Sequence, residues 1–191
     1  MGEESRVVYA NMIFGTETSP VGNSTAMVPN RDFYVTSLDG VSVKGMRLDL
    51  NKSIFRKENG QGCTIVDTGT PISSMPGEAY DEVVRTLKSM VKLPRVPYGN
   101  KDNTLCFMGG LKDIDQYVPH MTLHFQGLDL PIIPRSLFFV TTDEVICLAM
   151  RPMENGEEYN IFGALFQQNI NMFFDIKEEK IFMYPMACAL I

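Results

Sequence analysis

The sequence predicts a mainly β domain carrying one long helix, on three observations. Its apolar residues fall largely in short runs rich in Val, Ile, Phe and Tyr, bounded by Gly, Pro, Asn and Asp. In His120-Met121-Thr122-Leu123-His124-Phe125 the apolar residues alternate strictly, the period-two pattern of a strand with one buried face. Residues 76–91 alone form a convincing stretch with the i, i+3, i+4, i+7 spacing of a core-facing helix.

In chain order, the first strand is expected at residues 7–13. A surface loop follows over residues 15–30, where Pro20, Gly22 and Pro29 interrupt any run. Strands are expected at 32–38 and 41–43, with Asp39-Gly40 and Lys44-Gly45 as hairpin turns, and at 63–67. The helix, residues 76–91, opens on a proline and carries Glu78, Asp81 and Glu82 near the positive end of its dipole. Tyr80, Val83, Val84, Leu87, Met90 and Val91 form its apolar stripe, and Ser73 and Ser74 are placed to cap it. Pro94, Pro97, Gly99, Asn100 and Asp102 end it in a loop. Further strands are expected at 120–125, 137–140, 145–150, 160–163, 171–176 and 180–184, the last two joined by a polar connection. No repeat or shift of composition divides the chain, so residues 1–191 read as one domain.

A chain of 191 residues can bury roughly 70% of its unfolded surface. No apolar run approaches the ~20 residues of a membrane helix, so no span is expected. A formal charge of −6, with Lys and Arg scattered, argues against a nucleic-acid surface. Cys63, Cys106, Cys147 and Cys188 include no Cys-x-x-Cys pair, which argues against zinc or a thioredoxin-like motif. Two disulfides in an oxidising compartment are expected, four reduced core cysteines being the alternative. The sequons Asn23-Ser24-Thr25 and Asn51-Lys52-Ser53 make Asn23 and Asn51 candidates for glycosylation. Gly2-Glu3-Glu4-Ser5 lacks the basic-then-apolar opening of a signal peptide, so a leader is expected to have been removed, or the chain to be an internal fragment. His120 and His124 share a strand face without a third ligand; they read as surface residues, and neither a metal site nor a cofactor is expected. Asp175 reads as a structural carboxylate at a strand end.

Chemistry concentrates in Thr64-Ile65-Val66-Asp67-Thr68-Gly69-Thr70: an apolar strand, then a carboxylate, a hydroxyl, a glycine and a hydroxyl. Gly69 permits a sharp turn, and Thr68 and Thr70 can hold the carboxylate by hydrogen bonds. An Asp-Thr-Gly triplet arises by chance in roughly 4% of chains this long from average residue usage, so its context decides. Here two apolar residues precede it, a helix follows, and Ile161-Phe162-Gly163 supplies a second apolar-apolar-Gly segment. This is the form of an aspartic-peptidase turn, and that chemistry needs two aspartates sharing a proton. One such turn is present, so Asp67 is expected to titrate near an ordinary aspartate, ~3.9, and the chain by itself to show little or no catalysis.

The resemblance extends further. Phe33-Tyr34-Val35, Leu38-Asp39-Gly40-Val41-Ser42-Val43, Ala79-Tyr80, Leu105-Cys106-Phe107, Val118-Pro119, Leu123-His124-Phe125 and Val145-Ile146-Cys147-Leu148-Ala149 all match one family, as do Ile161 through Asn169, Phe174-Asp175-Ile176 and Ile181-Phe182 with Cys188. Together they resemble the C-terminal lobe of plant nepenthesin-like, pepsin-type (A1) aspartic proteases, the lobe type also found in plant xylanase-inhibitor proteins. The resemblance implies a single lobe of the bilobal acid-protease fold, with Asp67 as the second lobe's catalytic aspartate, Thr68 in an interlobe role, and Gly69, Thr70 and Gly163 supporting the site. It implies a Cys106–Cys147 bridge and, as a further pair, Cys63 with Cys188. Pro71 departs from the family, which more often has a hydroxyl residue there. Implied partners are an N-terminal lobe and a polypeptide substrate, in a secreted or vacuolar setting at acidic pH. Two other functions stay open: a non-catalytic inhibitor or binding protein built on the same lobe, and a homodimeric, retroviral-like peptidase with one aspartate from each copy.

Overall fold

The computed structural model describes residues 22–30, 32–57, 59, 62–97, 104–142 and 144–186; the strand expected at 7–13 lies outside them. Their strands are β1 (Ser24–Val28), β2 (Val35–Thr36), β3 (Leu38–Val43), β4 (Met46–Arg47), β5 (Thr64–Asp67), β6 (Ser73–Met75), β7 (Arg95–Val96), β8 (Cys106–Met108), β9 (Met121–Phe125), β10 (Leu128–Ile132), β11 (Phe138–Thr142), β12 (Val145–Leu148), β13 (Met150–Pro152), β14 (Asn160–Gly163), β15 (Ile170–Asp175) and β16 (Lys180–Pro185). The α-helices are α1 (Gly77–Met90), α2 (Leu111–Tyr117) and α3 (Pro134–Leu137). The mainly β expectation with one long helix holds.

Among the described residues the strands form an eight-stranded sheet, in the order β13-β6-β14-β5-β2-β1-β16-β15, and two four-stranded sheets, β10-β9-β3-β4 and β11-β12-β8-β7. Most neighbours are antiparallel, but β14 runs parallel to β5 and β13 parallel to β6. Helix α1 buries Ala79, Tyr80, Val83, Val84 and Leu87 into one apolar cluster, which takes in Val41 and Val43 of β3, Met121 and Leu123 of β9, and Phe162 of β14. The apolar stripe read from the sequence is thus the packed face, apart from Met90, which is half-buried at the margin.

Three local expectations are corrected. Residues 24–28, expected in a loop, form β1, because Ser24, Thr25 and Ala26 pair with Phe182, Ile181 and Lys180 while the buried Thr25 hydroxyl meets that of Thr36 at 2.8 Å. Asp39-Gly40 is no hairpin turn: β3 runs through it with a bulge between Leu38 and Gly40, and the Arg47 guanidinium packs where a Gly40 side chain would stand. Lys44-Gly45, by contrast, is a two-residue hairpin turn with φ of 51° and 77°. Ser73 and Ser74 do not cap α1. Pairing with Met150 and Arg151 draws them into β6, and Pro76 stands at the helix entrance without a side-chain cap.

The elements missed by sequence are short. Strand β10 contains Pro131, which reads as a breaker, yet the strand lies at a sheet edge where a missing N–H costs no ladder bond.

Cys106 and Cys147 face each other across the β8–β12 pair and are joined by a disulfide. Cys63 is a free, buried thiol that donates to the Phe55 carbonyl at 3.1 Å; Cys188, its expected partner, lies outside the described residues. Burial pushes the Cys63 thiol above its ordinary range. Replacing Cys106 and Cys147 together by serine is expected to cost roughly 4 kcal/mol, from the chain entropy released by opening a loop of sequence separation 41. Urea unfolding of the oxidised chain against the variant reads this, and a cost below about 1 kcal/mol would show that the bridge adds no such constraint.

Candidate active site

Strand β5 delivers Asp67 to the surface. Thr64, Ile65 and Val66 are buried between β2 and β14; Asp67 is half-buried at the strand's end, and Thr68 and Gly69 are exposed. The carboxylate is held from its own turn: the Gly69 N–H donates to Oδ1 at 2.7 Å and the Thr70 hydroxyl donates to Oδ2 at 2.6 Å. The expectation of an ordinary aspartate is corrected here. The Thr70 hydroxyl, with smaller help from the Gly69 and Thr70 N–H groups, holds the Asp67 pKa below the usual range, against a weaker upward push from burial. Gly69 differs from expectation too, since it is not among the residues with positive φ. Its value is closeness: a Cβ there would come within 3.2 Å of Oδ1.

The second element is β14. Its register against β5 places Gly163 beside Asp67. The chain leaving Asp67 crosses in front of Gly163, where Ala164 N–H donates to the Thr70 carbonyl at 2.8 Å and Leu165 N–H to the Pro71 carbonyl at 3.1 Å. A Cβ on Gly163 would lie 2.8 Å from Thr70 O and 2.9 Å from Ile72 C, so only glycine fits. Gly163 N–H donates to the buried Ser73 hydroxyl at 3.0 Å. Asp67, Thr68, Gly69 and Thr70 thus share one turn beside Gly163, but the exposed Thr68, expected to help hold the carboxylate, is not among the hydrogen-bond donors to Asp67. Sequence reasoning missed two supports, Ser73 and Gln167. Ser73 carries only a helix-capping signal, and Gln167 is marked only as a polar residue of the matched run, four positions after Gly163.

Other candidates do not join this site. His124 is not a plain surface residue: its Nε2 meets the Ser42 hydroxyl at 2.7 Å and its Nδ1 the Asp129 carboxylate at 2.6 Å. That connectivity matches a Ser-His-Asp relay. Yet Ser42 is only 5% exposed and sits mid-strand in β3, while Asp129 stands in solvent, the reverse of a nucleophile presented at a sharp turn over a buried acid. The trio ties β3, β9 and β10 together. His120 is exposed, and no group of three or more potential metal ligands occurs among the described residues. Asp175 accepts from the Glu178 N–H at 2.9 Å, as a structural carboxylate at a strand end does. Asn23 and Asn51 are both exposed, and Asn51 Oδ1 accepts from the Ser53 N–H at 3.0 Å. No described helix is long and apolar enough to cross a membrane.

The Thr70 bond gives a test with a definite sign. Asp67 has a lower pKa folded than unfolded, so its contribution is present above the unfolded value and is lost as pH falls through the folded one. Thr70→Val is expected to cost about 1 kcal/mol near neutral pH, a figure discounted for the open side of the turn. The gap to wild type should narrow in urea unfolding repeated at about pH 3; an equal gap at both pH values would assign the cost to packing.

The family described as Xylanase inhibitor C-terminal matches residues 33–183. Aspartic proteinase nepenthesin-1 of Nepenthes gracilis is 32% identical over 159 residues, covering 82% of this chain and 36% of that protein. Aspartic proteinase 36 of Arabidopsis thaliana is 29% identical over 182 residues, covering 92% and 36%. The chain thus spans little more than a third of the length of these relatives. The crystal structure of edgp superposes with a TM-score of 0.74 at 15% identity, covering 88% of this chain and 46% of that one, which shows a shared pepsin-like lobe fold. With its Asp67 turn and Gly163 segment packed side by side, this chain belongs to the xylanase inhibitor C-terminal family, the C-terminal lobe type of plant pepsin-like aspartic proteases.

Proposed function

We propose that this chain supplies one aspartate, Asp67, to a two-aspartate peptidase site whose other carboxylate comes from an N-terminal lobe. The observation that carries the reading is a carboxylate held at the surface by the Gly69 N–H and Thr70 hydroxyl, beside a glycine-lined crossing. The reaction is hydrolysis of a peptide bond at acidic pH. A water between the two carboxylates loses a proton to the ionised one while the protonated one polarises the scissile carbonyl. The depressed pKa of Asp67 in the lobe suits the ionised, proton-accepting member, although once paired the two acids titrate as a unit. One carboxylate cannot hold and polarise at once, so the chain by itself has little or no activity.

The substrate is a polypeptide, with no role for nucleic acid or a membrane. A secreted or vacuolar setting suits the Cys106–Cys147 disulfide and the exposed Asn23 and Asn51. Glycosylation at Asn23 would precede folding of β1, because the fold engages the Thr25 hydroxyl of that sequon with Thr36.

A second reading is favoured by the family description itself: a non-catalytic protein that uses the lobe as a scaffold to bind and inhibit a xylanase. The intact Asp67-Thr68-Gly69 turn, with its hydrogen bonds in place, favours the peptidase. Co-expression with a matching N-terminal lobe, followed by a protein-cleavage assay at acidic pH, decides. The complex is expected to cleave, with Asp67→Asn lowering kcat by about three orders of magnitude. A complex no faster than Asp67→Asn removes the catalytic role, and xylanase inhibition by that inactive complex would establish the second reading.

A further inference from the structure

Gln167 is 8% exposed, and a buried amide is costly unless hydrogen-bonded. Its Nε2 donates to two main-chain carbonyls, Phe162 O at 2.6 Å and Asp67 O at 3.1 Å. Those acceptors belong to the neighbouring parallel strands β14 and β5, at the end where their ladder stops: Gly163 and Asp67 are its last pair. The amide therefore replaces the missing next rung. It is itself anchored at that crossing, since the Gln167 N–H donates to Gly163 O at 3.3 Å and Ala164 O at 3.2 Å. The donor assignment follows from its surroundings, because the opposite orientation would aim a carbonyl oxygen at two others. Oε1 is left buried without a hydrogen-bond partner, so it is the donor side that ties this residue to the site.

Fixing the Asp67 carbonyl fixes the Asp67–Thr68 peptide plane. From that plane the turn bends back so that the Gly69 N–H and Thr70 hydroxyl reach the carboxylate. We propose that Gln167 is a positioning residue for Asp67, its side-chain amide clamping the ends of β5 and β14 so that the turn presents the carboxylate with both donors engaged. The proposal deepens the peptidase reading and rests on it for its catalytic meaning; the clamp itself is testable without activity.

The test uses the full chain with Gln167→Met, which keeps length and bulk but removes both N–H donors, and with Gln167→Asn, which keeps the amide but shortens its reach. Titration of the Asp67 carboxyl carbon by NMR is expected to move upward in both variants, by roughly half a pH unit for Gln167→Met, as the Thr70 and Gly69 bonds loosen. In the two-lobe complex, Gln167→Met is expected to lower kcat about tenfold with KM within about twofold, the loss of an interaction that serves the reacting geometry and not substrate binding. A midpoint unmoved in folded Gln167→Met overturns the proposal, and so does failure of both variants to fold, which would make Gln167 a general scaffold residue. An inactive wild-type complex sinks the peptidase reading alone, because the titration still decides the clamp.

Discussion

The structure turns on the parallel pairing of β5 with β14 under a chain segment that crosses between them. Parallel neighbours place the end of β5 and the end of β14 on the same edge, which antiparallel neighbours cannot do with both strands pointing toward one site. The crossing segment's Thr70 and Pro71 carbonyls then accept from the N–H groups of Ala164 and Leu165, immediately past the end of β14. The segment approaches so closely that Gly163 has no room for a side chain. Strand β6 continues from that segment, and its Ser73 hydroxyl accepts from Gly163, so the turn is pinned at its exit as well as at its entrance. Rigid neighbours on both sides are what hold a surface carboxylate in one rotamer against the entropy it would gain by moving.

That carboxylate is tuned by neutral groups. The Asp67 shift comes from a hydroxyl and from main-chain N–H donors within three residues of it, with no cation among its causes. A shift made by short hydrogen bonds is far less sensitive to salt than one made by distant charge. The arrangement also explains why the flanking residue types matter more than their charge. A hydroxyl at 70 can donate to Oδ2, and a residue without a side chain at 69 lets its N–H come to 2.7 Å of Oδ1.

Much of this was legible in the sequence where local pattern and tertiary demand agree. The α1 stripe, the alternation of β9 and the Lys44-Gly45 turn are of that kind, each a local pattern that the packed structure keeps, whereas the approach of Gly163 to Asp67 was implied by the family resemblance. What escaped was decided by distant partners. Strand β1 exists because β16 is there to pair with it, and Asp39-Gly40 is a bulge because β9 continues past it. Ser73 serves the sheet although its position before a helix suggests a cap. Gln167 lies inside the matched run Ile161 to Asn169, but nothing there states its role: its importance lies in two carbonyls, one of them a hundred residues away in the chain. The Asp67 pKa was misjudged because the sequence names the donors without giving their distances.

The central claim is that the Asp67 carboxylate works as one half of a matched pair. Calorimetric titration of a statine-containing peptide, whose hydroxyl sits between two carboxylates as the attacking water does, addresses that most directly. Into the complex of this chain with its N-terminal lobe at acidic pH, the account expects saturable one-to-one binding that Asp67→Asn abolishes. Binding of equal strength to wild type and Asp67→Asn would contradict it.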